Sequence, residues 1–104
     1  MNTYQAADSQ LDALGDATRR AIVTRLLDGP LAVGEIAREF PVSRPAISQH
    51  LRILLKASLL RVETIGRQRV YSANPEALNS VRAWIARTVG GSAGSLILMK
   101  RVRG

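Results

Sequence analysis

Apolar residues recur at helical spacing through most of this chain and change to strand spacing once. Ala21, Ile22, Val23, Leu26 and Leu27 form one stripe, and Val33, Ile36, Ala37 and Phe40 form another at i, i+3, i+4 and i+7. Ile47, Leu51, Leu54 and Leu55 form a third, and Leu78, Val81, Trp84, Ile85 and Val89 a fourth. Between the third and fourth stripes, residues 61–65 and 69–73 are rich in β-branched and aromatic side chains and read as two strands joined across Gly66-Arg67-Gln68.

Local signals bound these elements. Asp8 or Ser9 is expected to cap a short first helix carrying Leu11 and Leu14, which breaks near Gly15. Asp16 caps a second helix over 17–27, and Asp28-Gly29-Pro30 stops it. Pro41 ends the third helix, and Ser43 caps a fourth over 44–57, with Pro45 tolerated in its first turn. Asn74-Pro75 opens a fifth. The predicted order is α-α-α-α-β-β-α: a mainly α chain with a small β-hairpin, hence a winged helix-turn-helix. One domain is expected over residues 1–89, followed at 90–104 by a Gly/Ser-containing linker and an apolar-basic tail.

Charge follows the same boundaries. The 104 residues carry a formal +7. Between Pro41 and Pro75, the six bases Arg44, Arg52, Lys56, Arg61, Arg67 and Arg69 face the single acid Glu63, so about a third of the chain holds +5 of that excess. A basic helix face beside a basic hairpin is a phosphate-binding footprint. Without cysteine, and with His50 as the sole imidazole, neither a conventional zinc site nor a His-based catalytic triad is available within one chain. An enzyme is not expected, nor is a cofactor. No apolar run reaches the roughly 20 residues of a membrane span. The segment MNTYQAADSQ has neither the basic start nor the apolar core of a signal peptide, so a cytoplasmic protein, nucleoid-associated when bound to DNA, is expected.

The outer face of the fourth helix supplies the chemistry. Arg bonds guanine bidentately and Gln bonds adenine, which makes Arg44 and Gln49 the expected base readers, with Ser48 as a short donor and acceptor between them. Ser43 and Arg52 are expected on phosphates, Lys56 is expected among the DNA contacts of the same outer face, and Arg67 and Arg69 are expected to carry the wing into a minor groove or onto its phosphates. His50 is open to three readings: a DNA contact, a pH-sensitive element or a packing residue. Trp84 reads either as a stacking surface for a ligand or as an aromatic buried between subunits. The face as a whole admits two functions, specific readout or a general phosphate patch for compaction or protein association. Arg44 and Gln49 separate them, because compaction uses their charge and readout their geometry.

The phrases LDALGDATRRAIVTRLLDGPLAVGEIA, VSRPAISQHLRILLKASLL and RVETIGRQRVYSANPEALNSVRAWI, spanning residues 11–85, resemble the ArsR-type (arsenic-repressor) winged-helix transcriptional regulators. The resemblance implies a homodimer built from the first and last helices, here through Leu11, Leu14, Val81, Trp84 and Ile85. It also implies double-stranded DNA as partner, with two recognition helices on an inverted-repeat operator that repress nearby genes and often the regulator's own. Metal-sensing members carry cysteines where this chain has Ala32, Val33 and Gly34, or His and acidic ligands along the last helix, where it offers Glu76 and no His. The resemblance therefore supplies neither a metal site nor an inducer. Family members commonly continue the last helix, whereas Gly90-Gly91 interrupts this one.

Overall fold

The computed structural model describes residues 3–89, with side-chain surroundings from residue 7 onward; the expected linker and tail over 90–104 lie outside the described residues. The chain runs through helix α1 (Thr3–Ala13), α2 (Ala17–Leu26), strand β1 (Leu31–Ala32), α3 (Val33–Glu39), α4 (Arg44–Lys56), β2 (Leu60–Ile65), β3 (Gln68–Ala73), a 3-10 turn (Pro75–Ala77) and α5 (Leu78–Thr88). The order matches the winged helix-turn-helix expectation with one strand added and a 3-10 turn leading into the last helix. The added element is β1, which pairs antiparallel with β3 through Leu31↔Tyr71 and Ala32↔Val70 to give a three-stranded sheet in the order β1-β3-β2. Two residues are too short a run for alternation to register, so only the pairing reveals that strand.

The core lies where α2, α3 and α4 meet the sheet. Ile22, Ile36, Ile47, Leu51, Leu54 and Leu59 are its largest fully enclosed side chains, and Tyr71 closes it from the sheet. From the second stripe of expected inward positions, Ile36 is buried while Val33, Ala37 and Phe40 pack partly against the same cluster. Leu27 does not join: it is the C-cap of α2 and lies half-exposed.

Caps explain most of the boundaries. Asp16 accepts from the Arg19 amide at 3.0 Å, and Ser43 Oγ accepts from the Ala46 amide at 3.2 Å, each satisfying one orphan donor of its helix. Glu35 accepts from the Ala32 amide at 2.8 Å, one half of a capping box whose other half an alanine is unable to make. At the end of α1, Arg19 Nε donates to the Ala13 carbonyl at 2.6 Å and Arg20 to the Leu14 carbonyl at 2.7 Å. Cations from the following helix thus satisfy the carbonyl end of this one.

Three boundaries differ from the sequence expectation. Helix α1 begins at Thr3, so Asp8 and Ser9 sit inside it and do not cap it. The wing tip is the two-residue loop Gly66-Arg67, because Gln68 already pairs with Ile65; Gly66 at φ +64° in the first loop position is the type II′ arrangement that suits strand twist. Asn74 makes no side-chain cap. Its Nδ2 instead donates to the Ser58 carbonyl at 3.0 Å, and its amide to the Leu59 carbonyl at 3.0 Å, tying the start of the last helical segment to the end of α4.

That end of α4 is a Schellman motif. The Leu59 amide reaches back to the Leu54 carbonyl at 3.0 Å and the Ser58 amide to the Leu55 carbonyl at 2.9 Å. The motif needs a left-handed residue, and Ser58 supplies it at φ +64°, the sole non-glycine with positive φ among the described residues. A β-carbon there costs roughly 1–2 kcal/mol that glycine avoids. Ser58→Gly should therefore raise stability by about 1 kcal/mol and the melting midpoint by roughly 4–8 °C. A thermal melt with an unchanged or lower midpoint would contradict this account of the turn.

Candidate nucleic-acid interface

Helix α4 has its reading geometry because its inward row is fully buried. Ile47, Leu51 and Leu54 are enclosed, so positions 44, 48 and 52, at i, i+4 and i+8, emerge together on one flank. That flank faces the wing: Arg44, Ser48, Arg52 and Leu55 line one cleft of about 250 Å³ with Arg69 and Tyr71 of β3. Arg44 and Arg69 also border an adjoining cleft of about 420 Å³, with Arg67 and Gln68 of the wing and Gly34 and Arg38 of α3. Sequence reasoning missed Arg38, Gln68 and Tyr71. The signal for Arg38 was available, since it is exposed on the first helix of the helix-turn-helix; the approach of α3 to the wing was not.

The remaining expected contacts separate by flank. Gln49 is exposed and lines neither cleft. Ser43 is exposed at the N-cap with its oxygen already accepting a backbone amide, which leaves its hydroxyl proton to donate outward. Lys56 turns to the opposite side, where it lines a third cleft of about 330 Å³ with Ser9 and Asp12 of α1 and Arg19 of α2. His50 also leaves the wing flank. Its side chain is 18% exposed, with Nδ1 3.4 Å from Arg19 Nη1 and 4.0 Å from Asp16 Oδ2. The contacts of His50 thus lie at the α1–α2 corner and not at the wing clefts.

Electrostatics at the wing flank are one-sided. Arg44, Arg52 and Arg67 make no hydrogen bond or ion pair among the described residues, while Arg69 lies 5.6 Å from the centre of the Tyr71 ring in cation–π contact. The first cleft has no carboxylate in its lining, and the one carboxylate of the second, Glu35, is occupied by the Ala32 amide. Among the described residues, no three His, Cys, Asp or Glu gather as a metal site would need. No described helix is long and apolar enough to cross a membrane.

The five residues expected at a subunit contact are all on α1, α5 or the turn after α1, and the two helices pack against each other. Leu11, Leu14, Val81 and Trp84 are half-buried within the protomer, Leu14 against the main core, whereas Ile85 is 48% exposed and Val89 38% exposed on the outer side of α5.

A helix-turn-helix whose second helix stands free beside a basic hairpin defines a winged-helix nucleic-acid-binding protein. A family profile described as helix-turn-helix domain matches residues 14–63. The chain is 52% identical over 87 residues to the HTH-type transcriptional regulator Rv2034 of Mycobacterium tuberculosis, covering 84% of this chain and 81% of that protein. It is 37% identical to the transcriptional repressor SdpR of Bacillus subtilis over 70% of this chain and 81% of that protein. Among solved structures, an ArsR-like transcriptional regulator from Rhodococcus sp. RHA1 superposes with a TM-score of 0.80 at 30% identity, covering 98% of this chain and 96% of the other. The protein belongs to the ArsR family of winged helix-turn-helix transcriptional regulators, a family of non-enzymatic proteins.

Asp16, the N-cap of α2, bears on stability through its ionised form. The hydrogen bond from the Arg19 amide holds the Asp16 carboxyl below the usual range against the opposing effect of desolvation, with the nearby charges of His50 and Arg19 and the Thr18 amide adding smaller downward effects. A depressed folded-state value means that the ionised form favours the fold. The contribution is present above the unfolded value and is lost as pH falls through the folded one. Thermal melts should accordingly show a shallower loss of stability in Asp16→Asn than in the wild type between about pH 5 and pH 3. Identical acid limbs would remove Asp16 from the account.

Proposed function

We propose that the protein is a homodimeric, sequence-specific repressor that lays the flank and outer line of α4 in the major groove of an inverted-repeat operator while the wing clasps the adjoining backbone. The observation that carries this reading is the convergence of Arg44, Ser48, Arg52 and Arg69 on one carboxylate-free cleft beside an exposed Gln49. Core packing gives no reason for four such side chains on one flank, whereas a phosphate backbone beside a read groove does. Repression is the activity named for several relatives, including SdpR and the arsenical resistance operon repressor of Bacillus subtilis. In this reading, Gln49 contacts base edges and Arg67 at the wing tip approaches a minor groove. Residues 1–89 contain both the DNA-binding and the dimerisation surface, and the action is in the cytoplasm on the nucleoid.

Two-fold pairing fits the same geometry, since one winged helix reads too few base pairs for genomic specificity and a dimer doubles them at fixed half-site spacing. The exposed Ile85 and Val89, beside half-buried Trp84 and Val81, give α5 an apolar outer side for a second copy.

Binding to a duplex carrying the protein's own promoter should weaken steeply with salt. With about three phosphates neutralised per protomer, the log–log slope should be near −5. A slope near zero, or equal affinity for promoter and scrambled duplex in anisotropy titrations, would reject a sequence-specific regulator. Ile85→Arg should yield a monomer by light scattering with native helical content and at least ~100-fold weaker promoter binding. A dimeric mass with unchanged affinity would place the pairing surface elsewhere.

A further inference from the structure

We infer that the cleft between α4 and the wing is a clamp for a single DNA backbone phosphate, held jointly by Arg44, Arg52 and Arg69 with the Ser48 hydroxyl, and that Arg44 is therefore an anchor and not a base reader. The inference rests on the DNA-binding reading above and divides its residues more finely than the sequence does.

Three observations support the division. Arg44, Ser48 and Arg52 do not project from the outermost line of α4, where Gln49 lies, but from the flank that closes against the wing. A helix in the major groove presents its outermost line to base edges, while the strand that separates the major groove from the neighbouring minor groove passes between helix and wing. The flank is thus where a phosphodiester passes. The cleft, about 250 Å³ in volume, also has the lining a phosphate needs: three guanidinium groups, a hydroxyl and no carboxylate, over the apolar Val33, Leu55 and Tyr71.

The third observation separates the two wing arginines. Arg69 is fixed: it lies over the ring of Tyr71, whose side chain is anchored in the core at 5% exposure. Arg67 is one of the two loop residues at the hairpin tip, beyond the last strand pair Ile65↔Gln68, and does not line the clamp. A planar cation resting on a buried ring has its N–H groups partly oriented in advance and loses less side-chain entropy on binding. Arg69 accordingly belongs to the helix's anchor, and Arg67 alone is left for the minor groove. Tyr71 is a positioning residue in this arrangement.

The test uses the full chain and promoter duplexes in which one phosphate at a time is replaced by a neutral methylphosphonate. Wild-type binding to the unmodified duplex, with its steep salt slope, settles the DNA-binding reading by itself. If the wild type binds no duplex, that reading fails and the clamp with it. Given binding, Arg44→Ala, Arg52→Ala and Arg69→Ala should each weaken it roughly 5- to 50-fold on any sequence. One neutral linkage per half-site should cut all three penalties below about 2-fold, because the phosphate they share has lost its charge. Arg67→Ala should be silenced by a different linkage. Gln49→Ala, unlike Arg44→Ala, should relax preference at one base pair. The clamp is overturned if Arg44→Ala relaxes base preference, if no single linkage silences the three variants together, or if Arg67 and Arg69 answer to the same linkage.

Discussion

Burial of one face of α4 is the constraint on which the interface depends. Ile47, Leu51 and Leu54 meet Ile22, Ile36, Leu59 and Tyr71 in a cluster with almost no exposed surface. Removing any of these side chains leaves a cavity that costs about 2–5 kcal/mol, so the helix has little freedom to rotate about its axis. With rotation fixed, every other position of α4 is assigned a direction. Positions 44, 48 and 52 go to the wing, 49 to solvent, and 50 and 56 to the α1–α2 corner.

The same core sets the wing. Tyr71 belongs both to β3 and to the buried cluster, and its register partners are Leu31 on one side and Val62 on the other. A shift of one residue in that register would place Tyr71 in solvent and Val70 in the core, which the burial of the ring opposes. Strand β1, though only two residues long, gives β3 a second neighbour and connects the wing to the start of α3. The wing is thereby positioned by the core, and Arg69 shares that placement through the Tyr71 ring.

A second set of contacts fixes α4 at its ends. The Schellman turn at Ser58 and the Asn74 bonds tie its C-terminus to the segment leading into α5, while His50 and Arg19 link its middle to the corner between α1 and α2. Helices α1 and α5 pack together and carry the apolar surface proposed for pairing. The reading helix is therefore connected to the segments that flank both elements of the proposed dimer surface: the α1–α2 corner and the turn leading into α5. This is a geometry in which the pairing of two protomers sets the separation of two reading helices.

The sequence by itself determined the helix-turn-helix, the hairpin and the charge concentrated on them. The reason is local: apolar periodicity sets which side of an element is buried, and Asp16, Ser43 and Gly66 signal where elements begin or turn. It placed Arg44, Ser48, Gln49 and Arg52 on the solvent side of α4 without resolving which of them share a cleft. Only the tertiary structure decided that. The approach of β3 to α4, the stacking of Arg69 on a core tyrosine, the two-residue strand β1 and the turning of His50 toward Arg19 all join residues far apart in the chain. Such pairings leave no period in either segment. They follow from how the buried faces of the helices and sheet close on one another, and that closure is a property of the assembled core.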